Sequence, residues 1–434
     1  MSVVSEFRGQ RSEVRGQMTD GIAQRPATND QSALRRQSSL CITSAPAVAL
    51  LTGGGDKPYA LGIAAALTNA GVLVDFIGSD DLSVSELLNN RRVNFLNLRG
   101  DQRPEVNSLT KALRVATYYF KLIHYAIKAK PKLFHILWNN KFELFDRTML
   151  LLYYKLLGRK IIFTAHNVNA GERDSNDSFV NRASLGIQYK LSNHIFVHTD
   201  GMKRELVTQF CVRAGKVSVI PFGINNTVPN TDLSIAEAKQ RLGVADTNKT
   251  ILFFGNIAPY KGLEYLIGAF VDLASKDETY RLIIVGRPKG RPDYWNGINS
   301  MIEESRITDK VVRAIEYVPD EATELYFKAA DVLVLPYTRV FQSGVLSLSY
   351  SFGLPVLAAD VSSLKNEIIE GKTGFTFKPA DSADLAAKIV VYFKSDLFRG
   401  LDGHREAIKE YANERYSWDK VASITLGVYS SLLH

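Results

Sequence analysis

The chain is predicted to be an α/β protein made of two Rossmann-like parallel-sheet domains facing each other across a cleft. Three observations predict this. Short, continuously apolar runs recur along the chain, as in strands buried on both faces. Between them lie segments whose apolar residues repeat with the helical period. A polar stretch at 225–232 divides two such series, and a length of 434 residues suits two or three domains.

The elements follow in order. Residues 1–44 are polar and rich in Gln, Ser and Arg, with Glu6, Glu13, Asp20 and Asp30 interspersed. With no apolar stretch, they read as a disordered tail rather than a targeting segment. A strand is expected at 47–51, then the loop Thr52-Gly53-Gly54-Gly55-Asp56-Lys57-Pro58. A helix to about residue 70 places Ala60, Ile63, Ala64 and Leu67 on one face, and Gly71 closes it. With a strand at 72–77 this forms a βαβ unit. Further strands are expected at 93–96, 133–137, 160–164, 194–198 and 217–221. The second series runs 250–255, 280–286, 311–317, 332–336, 355–359 and 374–377. The expected division is a first domain at 45–228, a second at 229–408, and a helix at 409–434 returning to the first domain. In such folds ligands bind beyond the carboxyl ends of the strands.

Composition narrows the classes. Hydrophobic residues make up 46% of the chain, enough for ordinary cores. The apolar stretch at 149–157 is broken by Lys155 and is shorter than the roughly 18 residues a spanning helix needs. Cys41 and Cys211 provide no disulfide framework, which fits a reducing compartment. A cytoplasmic protein is expected, peripheral at the inner membrane face. The formal net charge of +8 is concentrated, because 99–160 carries thirteen Lys and Arg against four acids, with aromatic residues such as Tyr118, Tyr119, Phe120, Tyr125, Phe134 and Trp138 interleaved. Such a mix suits an anionic membrane surface or a phosphate-bearing substrate, or else a solvated helix face. No nucleic-acid module is present, and no nucleic-acid partner is expected.

Three local motifs suggest chemistry. Gly53-Gly54-Gly55 joins a strand to a helix start, where backbone N–H groups can approach an anion; it also fits a tight turn. Pro58 breaks the dinucleotide fingerprint. Asp80-Asp81 follows a strand and reads as a helix cap before a metal pair, so no metal site is expected. Gly371-Lys372-Thr373 is not a P-loop, because Asn366 stands where its first glycine belongs.

Several phrases in the second half resemble, in order and spacing, the large retaining glycosyltransferase family numbered four, which has the GT-B fold. Phe253-Phe254-Gly255-Asn256-Ile257-Ala258-Pro259-Tyr260-Lys261-Gly262-Leu263 resembles the first motif of that family's second domain. Ala329 to Tyr337 resembles the strand leading to its donor site. Gln342-Ser343-Gly344-Val345-Leu346 and Phe352-Gly353-Leu354-Pro355-Val356 resemble the sugar-binding loop and helix, and Glu367, Gly371, Thr373, Gly374 and Phe375 its ending. Tyr416-Ser417-Trp418 is similar to the start of the returning helix. In the first half Thr164-Ala165-His166-Asn167, Val197-His198-Thr199-Asp200 and Pro221-Phe222-Gly223-Ile224 fit more loosely. The resemblance covers about 45–430. It departs from the pattern at the family's Glu-x7-Glu pair, where Val340 and Leu348 stand, and it matches a Gln-Ser-Gly variant.

The resemblance implies a metal-independent retaining transfer of a hexosyl unit from a nucleoside-diphosphate sugar to a saccharide or lipid-linked acceptor. No cofactor beyond the donor is implied. His166 and Lys261 are the implied catalytic residues: Lys261 neutralises the leaving diphosphate, and His166 contacts the donor sugar. Asn256 stands where the family has a second cation, an Arg. Gly54, Gly55, Asn167, Asn256, Gln342, Ser343, Gly344, Val345 and Glu367 are the implied substrate contacts. Two alternatives stay open: a catalytically silent homologue acting as a binding partner, and an epimerase of the same fold using Glu172, Asp174 and Glu367.

Overall fold

The computed structural model describes residues 46–434 apart from 104–106, 174–176, 226–227, 290–291, 341 and 362–363. The expected tail at 1–44 and Asp174 lie outside the described residues.

The first sheet has seven parallel strands: β1 (Ala47–Leu51), β2 (Leu73–Gly78), β3 (Val93–Asn97), β4 (Leu133–Ile136), β5 (Lys160–Thr164), β6 (His194–Val197) and β7 (Val217–Val219). Their order is β3-β2-β1-β4-β5-β6-β7. The second has six: β8 (Lys249–Phe254), β9 (Tyr280–Val285), β10 (Val311–Ala314), β11 (Val332–Leu335), β12 (Val356–Ala359) and β13 (Gly374–Phe377), in the order β10-β9-β8-β11-β12-β13. The two-domain reading holds, because continuous apolar runs such as Val332–Leu335 are buried on both faces of their sheet. Strands β7 and β10 end earlier than expected, leaving Pro221 and Tyr317 in the loops that follow.

Each sheet reverses direction once. The chain steps outward from β1 to β3 and returns beside β1 as β4; it does the same from β8 to β10 and back to β11. Such switch points open a crevice at the strands' carboxyl ends. The two crevices lie between the loops after β1 and β4, and between those after β8 and β11.

The helices used below are α1 (Lys57–Asn69), α2 (Ser108–Lys128), α3 (Asp200–Gln209), α4 (Gly344–Ser351), α5 (Leu401–Arg415) and α6 (Trp418–Leu433). The segment expected as one returning helix at 409–434 is two helices, broken at Tyr416-Ser417, where Ser417 caps α6 by accepting from the Lys420 N–H. Helix α6 docks on α1. Its Tyr429 hydroxyl lies 2.7 Å from His135 Nδ1 on β4, and His135 Nε2 lies 2.7 Å from Thr164 Oγ1 on β5. Burial drives the His135 pKa down to about 3, so this network is neutral.

The chain passes between the halves twice, and the two passes are bonded to each other. The Ile224 N–H donates to Tyr416 O at 3.0 Å, and Trp418 Nε1 donates to Ile224 O at 3.0 Å. The Trp418 ring fills a slot bounded by Gly62 and Gly223, where an added Cβ would come within 2.2 and 2.3 Å of it.

Candidate active site

The second-half crevice is built around Lys261. The chain turns after β8 through a short 3₁₀ segment, Pro259–Lys261, and leaves it at Gly262 with φ 62°. A Cβ there would sit 2.1 Å from Pro336 O, so the close approach of the loop after β11 demands glycine. Lys261 is buried, at 7% exposure, and its ammonium donates to the Tyr337 hydroxyl at 2.9 Å. The charge also lies 4.7 Å from the centre of the Tyr337 ring. A Cβ built on Gly255 would be 3.0 Å from Lys261 Nζ and 3.3 Å from Val345, so the ammonium, Gly255 and the first turn of α4 converge. Among the described residues no carboxylate pairs with Lys261. A buried cation held only by a hydroxyl and a ring is incompletely compensated, which suits a site for an anion.

Ser343 caps α4, its hydroxyl accepting from the Leu346 N–H, and it lies 3.5 Å from the Tyr337 hydroxyl. Gly344 faces Phe222 of the first half, with an added Cβ 3.6 Å from that ring. Val340 and Leu348, which occupy the positions of the missing acid pair, are absorbed into the second half's hydrophobic core at 6% and 7% exposure. Asn256 is exposed.

A cavity of about 660 Å³ runs between the halves. Gln342, Ser343, Ser347 and Glu367 line one side, His198, Arg204 and Phe222 the other, with Tyr416 and Lys420 at the crossing. Of the anticipated site residues it takes in Gln342, Ser343 and Glu367; His166, Asn167, Lys261 and Asn256 do not line it. Glu367 is not free, because its carboxylate accepts from Arg415 Nε at 3.2 Å and from the Tyr416 hydroxyl. Arg204 carried no signal in the sequence, while His198 and Tyr416 fell within phrases that resemble the family without being named as site residues.

In the first half His166 follows β5. Its ring stacks on Trp138 at 4.1 Å with an interplanar angle of 1°. His166 Nδ1 lies 3.0 Å from His198 Nε2, and His198 Nδ1 lies 3.2 Å from Ile220 O. The carbonyl can only accept, so His198 Nδ1 carries hydrogen and its Nε2 accepts from His166 Nδ1–H. His166 Nε2 is then a bare acceptor, and it is buried with no partner in the protein. Burial, with His198 beside it, holds the His166 pKa well below the usual value; burial takes His198 down to about 4. Both rings are neutral at neutral pH.

The triple glycine is used differently from the expectation. Gly53 and Gly54 are left-handed, at φ 59° and 78°. Added Cβ atoms would strike Trp138 O at Gly53, the Arg99 guanidinium at Gly54 and the Trp138 ring at Gly55. The helix start offered to an anion is already capped, because Asp56 accepts from the Tyr59 N–H at 2.8 Å. The glycines therefore admit Trp138 and Arg99 rather than leaving an open backbone nest. Asp80 and Asp81 do not cap a helix through their side chains either; they accept from Asn97 and Ser79. Among the described residues no group of three or more His, Cys, Asp and Glu could hold a metal ion.

Glu172 bridges the halves. It pairs with Arg339, which follows β11, at 2.5 Å, and with Arg182 at 3.4 Å. Close by, on α3, burial and the Glu172 charge push the Glu205 pKa up to about 7. A carboxyl with a raised folded-state pKa contributes stability in its protonated form and loses it as pH rises from about 4.5 to about 7. Glu205→Gln is therefore expected to match the native melting temperature near about pH 5 and exceed it near about pH 8. Equal melting temperatures at both pH values in a thermal scan would remove this assignment.

Comparisons with known proteins agree with this architecture. Residues 53–227 match the family model described as Glycosyltransferase Family 4, and 234–415 match that of Glycosyl transferases group 1. A D-inositol 3-phosphate glycosyltransferase of Acidothermus cellulolyticus is 29% identical over 241 residues, covering 53% of this chain and 51% of that protein. The chain thus spans about half the length of this curated relative. The structure of sucrose-phosphate synthase from Thermosynechococcus elongatus superposes with a TM-score of 0.70 at 18% identity, over 89% of this chain and 99% of that one. Anabaena HepE in complex with UDP-glucose superposes at 0.67 and 18%, over 89% and 99%. With both halves matched in chain order and two parallel sheets of the same architecture, the chain belongs to the GT-B glycosyltransferases of the family 4 and group 1 type.

Proposed function

We propose that the chain is a retaining glycosyltransferase that moves a hexosyl unit from a nucleoside-diphosphate sugar to an acceptor hydroxyl on a saccharide or lipid-linked acceptor. The observation that carries this reading is the buried Lys261 ammonium, without a carboxylate, at the first turn of α4. Growing charge on a leaving diphosphate is what such an arrangement stabilises. The bare Nε2 of His166 suits a hydrogen bond from a sugar hydroxyl. Attack occurs on the face from which the diphosphate departs, and the departing phosphate takes the acceptor proton. Gln342 and Ser343 serve the hydroxyls that the absent acid pair holds in other members. No cofactor beyond the donor and no metal is required, so turnover persists in EDTA; loss on chelation with rescue by magnesium would return attention to Asp80 and Asp81.

The HepE structure contains UDP-glucose, which makes UDP-hexoses the first donors to test. Thermal-shift screening against UDP-, GDP-, ADP- and TDP-sugars should single out one donor, adding about 2.7 kcal/mol at about 100 times Kd. No shift with any of them, and no donor hydrolysis, would favour the silent homologue. A product with a shifted hydroxyl in place of a new glycosidic bond would favour the epimerase.

The same reading includes a peripheral site on an anionic membrane. Helix α2 turns Tyr118, Tyr119, Leu122 and Ala126 inward. Leu113, Phe120 and Ile127 form a heptad-spaced outer row, exposed by 60%, 73% and 58%, and Arg114, Lys121 and Lys128 follow each by one residue. An exposed apolar row beside a basic one is the signature of a helix lying in a membrane interface. No helix among the described residues is long and apolar enough to cross a membrane. Sedimentation with anionic vesicles is expected, at about 1 kcal/mol per well-placed basic residue, and should fall as salt rises. Equal binding to neutral vesicles would refute it.

A further inference from the structure

We infer that Trp138 is a movable plug over His166: its ring stands where the transferred hexose is to sit, and it swings aside when the donor enters. The inference rests on the glycosyltransferase reading and adds what guards that site.

His166 is sealed in the structure. Its ring lies flat against Trp138, 4.1 Å away with an interplanar angle of 1°. The stacked pair meets Tyr59 nearly at right angles, 4.8 Å from His166 and 5.6 Å from Trp138. His166 Nε2 is buried and has no partner in the protein. An acceptor left in that state costs free energy until a donor comes to meet it. A hydroxyl can reach this ring only if a neighbour moves, and Trp138 is the neighbour least firmly held.

Two tryptophans pack on Tyr59, and one of them is tied down. Trp418, 5.4 Å from it, donates from Nε1 to Ile224 O at 3.0 Å. Trp138 is half-buried, and among the described residues nothing accepts from its indole N–H. An aromatic contact of this kind sustains a population ratio of about tenfold, too little to lock a side chain. An added Cβ at Gly53 would lie 2.1 Å from Trp138 O, so the Trp138 backbone is pinned to the turn and the motion belongs to the side chain. An added Cβ at Gly55 would lie 1.9 Å from Trp138 Cδ2. When the ring leaves, no side chain at Gly55 can take its place. The vacated slot is flat, one ring wide, and walled by His166 and glycine backbone. A pyranose is a flat body of similar size with hydroxyls on its rim, and one of those hydroxyls can supply the donor that Nε2 lacks. Trp138 follows β4 and the glycines follow β1, the two strands at the switch point of the first sheet.

The test labels the full chain with diethyl pyrocarbonate, which acylates neutral imidazole, and follows each histidine by peptide mass mapping. Two histidines serve as references: His124 is exposed, and His135 is buried with both ring nitrogens engaged. In the native chain His166 is expected to label more slowly than His124 and faster than His135. Trp138→Ala should speed His166 about 10- to 100-fold while His135 stays silent, with Trp138→Phe between. If His135 labels in Trp138→Ala, that variant has unfolded and Trp138→Phe decides. UDP-glucose should slow the labelling of His166 in the native chain and in Trp138→Ala, whereas UDP, which lacks the hexose, should not. A native His166 as inert as His135 overturns the plug, as does a rate that neither variant changes. Bound UDP-glucose that protects no better than UDP overturns the assignment of the slot to the sugar. Absence of donor binding in the nucleotide-sugar screen would sink the transferase reading, and the labelling, which needs no ligand, would still decide whether Trp138 moves.

Discussion

Lys261→Ala should reduce kcat/KM by about 100- to 1,000-fold, the scale seen when one preorganised charge-stabilising donor is removed. The ammonium has one hydroxyl and one ring as described partners, so on the proposed reading what is lost is chiefly a contact with the donor diphosphate. Lys261→Met sharpens the test. It keeps the packing beneath Gly255 and removes a buried charge with no carboxylate, so melting temperature should hold or rise as donor affinity collapses. A purely structural lysine would show the reverse, with lower stability and unchanged donor affinity in calorimetry.

The second large effect is on stability. Trp418→Ala should cost about 3 kcal/mol in urea unfolding, near the lower end for removing a Trp because this ring is only partly buried. It empties the slot between Gly62 and Gly223 and deletes the bond from Nε1 to Ile224 O. Gly62→Leu, which drives a side chain into the same ring, should be comparably damaging. A loss below about 1 kcal/mol for both would mean that the return of α6 does not depend on this wedge.

The strands were legible because burial on both faces writes itself as uninterrupted apolar residues, and 332–335 is the plainest case. Lys261 and Ser343-Gly344 were singled out by the family resemblance of 253–263 and 342–346, and the structure gives them a 3₁₀ turn ending at Gly262 and a helix start capped by Ser343. What was not legible depends on partners far along the chain. The bare Nε2 of His166 is set by His198, 32 residues on, which is itself oriented by Ile220 O. The commitment of Glu172 to Arg339 spans 167 residues, a pairing that no local pattern discloses. The triple glycine shows a related limit: the phrase says that something approaches closely, and only the fold reveals that Trp138 and Arg99 do so. The helix start at Tyr416-Ser417-Trp418 was legible, but the bounds 409–434 ran it together with the end of α5 because both segments carry helical periodicity.

The paired crossing at Ile224 and Tyr416-Trp418 limits how the molecule can move. Two chain passes tied to each other by two hydrogen bonds act as a spine, and motion that preserves both bonds is a rotation about it. Sliding one sheet across the other would break them. Elsewhere the described junctions include Gly344 against Phe222 and the partly exposed ion pair of Arg339 with Glu172, worth about 0–1 kcal/mol. Opening the cleft by swinging about the spine is therefore cheap, while tearing the halves apart is not. For the proposed transferase, admission of donor and escape of product would reduce to a single angular coordinate.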